Sequence, residues 1–245
     1  MPATAPLPQS SDPRLDDVWA RLATVSDPEL DESVAAMGFV ESVEISADDH
    51  VRIGLRLPTF WCAPNFAFLM AHDMREAVES LDWVIRAEIT LKDHCYAEEI
   101  NRGVTSGNSF AKTFPGQATA ELDELRVTFR RKAFQGRQEV LLRRLLADGI
   151  RVGQLCTMRI DDLAALELAD ADGALMCHRY LEIRNEFGGH AKDTDKAFTT
   201  SEGENLNPKN FTEYLKDLRR VRTNAAFNAN MCRSVLQSRY GEAGE

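Results

Sequence analysis

Apolar residues recur at helical spacing in RLDDVWARLAT (14–24), where Leu15, Val18, Trp19 and Leu22 share one face and acids fill the first turn. Pro28 in SDPEL (26–30) ends the pattern, because the residue before a proline is pushed out of the helical region. The period then drops to two. Val43 and Ile45 alternate with polar residues in FVESVEIS (39–46), as do Val51, Ile53, Leu55 and Leu57 in VRIGLRLP (51–58). ADDH between these runs reads as a hairpin turn. Helical spacing returns over 64–81, with Phe68, Met74 and Val78 among its apolar positions, and WVIRAEITL (83–91) alternates again around Val84, Ala87 and Ile89. The order α-β-β-α-β predicts an α+β sandwich, with helices on one face of a three-stranded sheet.

Beyond residue 100 the pattern changes. NRGVTSGNSFAKTFPGQA (101–118) is rich in Gly, Ser, Thr and Asn and reads as a linker. Leu122, Leu125 and Phe129 then form one helical stripe, and Val140, Leu141 and Leu145 a second after a break at Gly136. LMCHRYLEIRNEF (175–187) has the pattern of a third helix, and 190–208 that of a long polar loop. A last helix, from about 209 to 239, carries apolar or small residues at 211, 215, 218, 221, 225, 232 and 235, with Asn228 in the remaining slot. That seam packs a helical core or faces a partner helix. The expected division is a disordered tail (1–13), an α+β domain (14–100), a linker (101–118) and a mainly helical domain (119–240).

Composition narrows the function. No run is long and apolar enough to span a membrane, and the Pro-, Ser- and Ala-rich N-terminus lacks the basic start and apolar stretch of a secretory signal. Five scattered cysteines with no CxxC pair fit reduced thiols in a cytoplasm. The net charge of −10 is concentrated: residues 1–103 carry 19 acidic and 8 basic groups. Such a surface disfavours nucleic acid and suits a basic partner or a cation; it also serves plain solubility. Arg-rich stretches at 130–132, 143–144 and 219–222 fall on predicted helices and read as solvated faces.

LPTFWCAPNFAF (57–68) sets Cys62 between a strand and a helix opened by Pro64. The first amides of a helix are unpaired and carry partial positive charge, and thiols held there are more often thiolate at neutral pH. Thiolates attack electrophiles and bind soft metals. The alternative is a small buried hydrophobe, the common state of a free cysteine.

DPEL (27–30) after a first helix, MGFVESVEI (37–45) entering a hairpin, and LPTFWCAP (57–64) together resemble a small domain family of iron–sulfur cluster assembly and transfer factors. The family includes the SUF-system T protein, the maturation protein of phenylacetyl-CoA oxygenase and the domain that precedes Mrp-type cluster carriers. Its pattern is a strand ending in Thr, then Cys and Pro opening a helix, and Thr59, Cys62 and Pro64 match it. The resemblance implies that Cys62 is the metal or cluster contact, with Asp27 and Thr59 beside it. Here Trp61-Cys62-Ala63-Pro64 stands where the family usually has Gly-Cys-Pro, and His94 and Cys95 stand where a Pro-Trp pair is usual. The third strand is expected to end near Cys62, which makes Cys62, His94 and Cys95 a partial ligand set. Adjacent residues of an extended segment point opposite ways, which allows only one of the last two to face Cys62.

Cys156, Cys177 and Cys232 sit in apolar patterning and read as core, and His178 lacks a partner at ligand spacing. No P-loop, Rossmann glycine fingerprint, HExxH or GxSxG occurs, so catalysis is not expected, and the resemblance implies a maturation factor rather than an enzyme. It would hold iron or an iron–sulfur cluster transiently and pass it to an apo-metalloprotein client such as an oxygenase component, with cluster scaffold proteins as further partners. A homodimer is left open. The alternative is a metal-free adaptor or folding chaperone for a multicomponent monooxygenase.

Overall fold

A computed structural model describes residues 12–116, 120–166, 170–187 and 192–241. The tail expected over 1–13 lies outside these residues as far as position 11. The described residues fall into two compact units, one up to 125 and again from 227, the other between 126 and 226.

The first unit begins with α1 (Pro13–Leu22). Asp12 caps it, its carboxylate accepting from the Arg14 amide at 3.0 Å, while Pro13 occupies a first-turn position where no N–H is needed. Next come two short strands, β1 (Ser26–Asp27) and β2 (Glu32–Ser33), paired antiparallel. Asp31, at φ 53°, turns the chain between them. The main sheet is β3 (Val40–Ile45), β4 (His50–Arg56) and β5 (Arg86–Lys92), in that order. β3 pairs antiparallel with β4 through a tight turn. β5 pairs parallel with β4, which requires the crossover helix α2 (Pro64–Glu79) between them. This is the α+β sandwich expected from the sequence.

Alternation explains why the sheet is covered on one face. Ala87, Ile89 and Leu91 of β5 are buried, while Arg86, Glu88, Thr90 and Lys92 are exposed. Against the apolar face lie Val18 and Leu22 of α1 and Phe68, Met74 and Val78 of α2, in one continuous core.

Of the stretch 101–118 read as a linker, residues 117 and 118 lie outside the described residues, and most of the rest is helical. α3 (Ala97–Thr105) runs through the first part and α4 (Phe110–Thr113) follows. Ile100, Val104, Phe110 and Phe114 are buried in the first unit's core, with the Phe110 ring 5.5 Å from Phe68 and 4.9 Å from Phe114. Polar residues dominate the stretch by number, but Val104, Phe110 and Phe114 are buried. The Arg75 guanidinium ties α2 to α3 by donating to the Val104 carbonyl at 2.6 Å.

α5 (Ala120–Ala147) passes through Gly136 without the expected break. A lone helical glycine costs only about 1 kcal/mol, which the flanking turns offset. α6 (Val152–Thr157), α7 (Ile160–Ala164), α8 (Ala171–Glu186) and α9 (Phe211–Tyr240) complete the chain. The second unit's core includes Phe134, Leu141, Leu145, Leu163, Ile183 and Leu218. At its centre the Gln138 amide donates to the Tyr180 hydroxyl and to the Thr199 carbonyl, both at 2.9 Å, and accepts from the Tyr214 hydroxyl at 2.5 Å. The buried Glu139 pairs with Arg143 and with Arg222, the latter at 2.6 Å. Polar as it is, the described stretch 192–210 contributes Ala197, Phe198 and Leu206 to this core. Cys156 and Cys177 lie in this core as expected, and burial raises the pKa of both thiols.

Candidate functional site

Because β4 and β5 run parallel side by side, their carboxyl ends open at the same edge, Arg56 opposite Lys92. The loop carrying Cys62 therefore leaves the sheet beside the turn carrying His94. Several bonds lock the two segments together. The Cys95 amide donates to the Phe60 carbonyl at 2.9 Å, and the His94 ring meets the Cys62 carbonyl through Nε2 at 2.8 Å. His94 Nδ1 accepts from the Tyr96 amide at 3.1 Å, which leaves the ring proton on Nε2 to donate to Cys62.

Cys62 is half-buried and immediately precedes Ala63, the cap residue of α2. Ala63 has no side-chain oxygen to satisfy the first amides of the helix, so that end retains its preference for negative charge. The Thr59 hydroxyl lies 3.1 Å from the Cys62 sulfur, within reach to donate to a thiolate. Phe60 and Trp61 flank the thiol and are exposed, Trp61 by 75%.

Asp27 sits at the end of β1, 8% exposed. Its Oδ1 accepts from the amides of Glu29 at 2.8 Å and Leu30 at 3.0 Å, which is why Asp-Pro-Glu-Leu folds into a turn here. Burial nonetheless raises its pKa to about 6, with the two amide bonds opposing the rise.

The last turns of α9 reach the same edge. The Arg239 guanidinium donates to the carbonyls of Leu57 at 3.3 Å and Asp93 at 2.9 Å, and the Tyr240 hydroxyl donates to the Asp93 carboxylate at 3.2 Å. On the same stretch Cys232 is half-buried against the core that also receives Cys62. Burial pushes its thiol pKa up to about 11, reinforced by the charges of Asp27, Cys62 and Glu29. The sequence marks Cys232 as one of a helical series of small and apolar residues and nothing more.

Thus Thr59 and Cys62 are in contact, and His94 and Cys95 lie beside them. His94, however, is buried with both ring nitrogens engaged, so in this arrangement it braces the loop rather than offering a lone pair. Cys95 is exposed, held by its backbone. Among the described residues, three potential ligand atoms come within 4.8 Å of one another only at His72, Asp73 and Glu76 on α2. A soft half-buried thiol with a hydroxyl beside it, on a helix N-terminus, suits contact with iron or an iron–sulfur cluster.

Comparison with known proteins bears on residues of this first unit. A family model described as iron–sulfur cluster assembly protein matches residues 15–90. An uncharacterized protein of Methanocaldococcus jannaschii is 34% identical over 86 residues, covering 35% of this chain and 88% of that protein. No solved structure matches. The matched stretch runs from α1 into β5 and contains Asp27, Thr59 and Cys62. Through it the chain belongs to the iron–sulfur cluster assembly protein family.

Proposed function

We propose that this protein is an accessory maturation factor, not an enzyme, that receives iron or an iron–sulfur cluster at Cys62 and passes it to an apo-metalloprotein. The observation that carries this reading is the Cys62 sulfur, half-exposed at the helix N-terminus with the Thr59 hydroxyl at 3.1 Å, inside the family-matched stretch. Metal is the cargo, and a half-exposed thiol fits that use because the sulfur must be reached by donor and acceptor in turn. The exposed Phe60 and Trp61 beside it form an apolar lip for a client to cover while the cargo moves. The client is an oxygenase component in our reading, recognised in part by the helical residues that the family match does not include.

Anaerobic incubation with ferric iron and sulfide tests the core of this. The wild-type chain should take up both and gain the visible absorption of sulfide-to-iron charge transfer. Cys62→Ser should stay folded and lose that uptake. A serine variant that loads iron and sulfide as the wild type does overturns the role of Cys62.

A further inference from the structure

We propose that Cys232, on the C-terminal part of α9, is a second thiol of the Cys62 site, so that an iron–sulfur cluster is held between Cys62 and Cys232 with the Asp27 carboxylate beside them. This deepens the function proposed above and rests on it.

Helix geometry carries the placement. Asn228, Cys232 and Leu236 are spaced by four and share one face of α9. One turn before Cys232, the Asn228 amide donates to the Glu29 carboxylate at 3.2 Å. One turn after it, Leu236 is buried, its Cδ2 coming within 3.4 Å of where a Cβ on Gly38 would stand. Arg233 pairs with Glu32 at 2.6 Å. The face that carries Cys232 is therefore laid on the turn that begins at Asp27, and the helix continues to the carbonyl of Leu57 at the root of the Cys62 loop. Cys232 lies between these anchors. Cys62 and Cys232 both pack against the first unit's core.

Asp27 is suited to be the neighbouring oxygen. Both of its amide bonds fall on Oδ1, and among the described residues Oδ2 accepts no hydrogen bond. Three donors at this site do not come within 4.8 Å of one another, as those of a preformed single-ion site would. That spacing favours a sulfide-bridged cluster, whose iron atoms separate the protein sulfurs, over one bare ion. Each thiol gives its proton to solvent as its sulfur binds iron, and assembly of a ferric cluster from ferric iron and sulfide needs no electron transfer.

The test uses the full-length chain, loaded anaerobically with ferric iron and sulfide, as wild type and as Cys232→Ser, Cys232→Ala, Cys95→Ser and Cys62→Ser. Thermal unfolding of each metal-free variant confirms folding. Both Cys232 variants should lose their cluster to a chelator at least roughly tenfold faster than the wild type, while Cys95→Ser tracks the wild type. In the wild type, loading should also block alkylation of Cys232, read by mass spectrometry of the peptide. If Cys232 variants keep the wild-type chelation rate and Cys232 alkylates equally with and without cluster, the inference fails while the role of Cys62 stands. If the wild type takes up no cluster at all, both fall together.

Discussion

His94 donates from Nε2 to the carbonyl oxygen of Cys62 at 2.8 Å, across 32 residues of chain. The bond joins the loop after β4 to the turn after β5, and the Tyr96 amide fixes the ring from its other nitrogen. The position of the thiol thus depends on a residue that looks, in sequence, like a ligand.

Replacing His94 by Ala removes two hydrogen bonds from a buried site and strands the Cys62 carbonyl. Unfolding in urea should show a loss of about 2–4 kcal/mol. Iron and sulfide uptake per folded chain should fall far less than in Cys62→Ser. Equal loss in the two variants would make His94 a ligand and contradict its bracing role.

Asp27 predicts a pH dependence of known sign. Its pKa in the folded chain is about 6 against an ordinary 3.8, so the folded state binds this proton more tightly than the unfolded state. Stability from this group is greatest below about pH 4, falls as pH rises towards 6, and stays reduced above that. A rise of that size corresponds to roughly 3 kcal/mol. Asp27→Asn keeps the acceptor for the Glu29 and Leu30 amides without the charge. It should therefore unfold later than the wild type at pH 7.5, the advantage shrinking towards pH 4.5. A difference between the two that does not vary with pH would refute the burial account.

Leu236 tests whether the end of α9 is part of the first unit's core. It is 6% exposed there, together with Ala229. Leu236→Ala should cost about 2–4 kcal/mol in denaturant unfolding. A loss below about 0.5 kcal/mol is what a surface position gives, and it would detach this helix from the core.

Gly103 reports on the stretch that composition marks as a linker. A Cβ there would stand 2.2 Å from the Thr113 hydroxyl oxygen and 2.6 Å from its methyl. Gly103→Ala should destabilise by about 1–3 kcal/mol through overpacking of α3 on α4. Adding Thr113→Ala removes the obstructing atoms and should restore most of the loss. If the double variant is as unstable as the two single losses combined, the close approach is not the cause.

The sandwich is legible in the order of residues alone: periods of 3.6 and 2.0 place α1, β3, β4, α2 and β5 to within a few residues. Those elements are local, and each hydrophobic stripe states which face is buried without knowledge of the partner. Cys62 is legible for the same reason, because the junction of a strand with a proline-opened helix is a local event. Features that depend on distant contacts come from the packing instead. Phe110 and Phe114 are two apolar residues in a polar stretch, too few for any period, and only the pocket beside Phe68 makes them core. Gly136 breaks a pattern on paper but not a helix, since packing on either side outweighs the propensity of one residue. His94 becomes a brace through the Cys62 carbonyl and the Tyr96 amide, and backbone partners leave no mark in side-chain sequence. Cys232, 170 positions after Cys62 in the chain, reaches the same edge only because α9 returns to the first unit. No periodicity encodes that return, because it is set by which surfaces remain to be covered once the rest has folded.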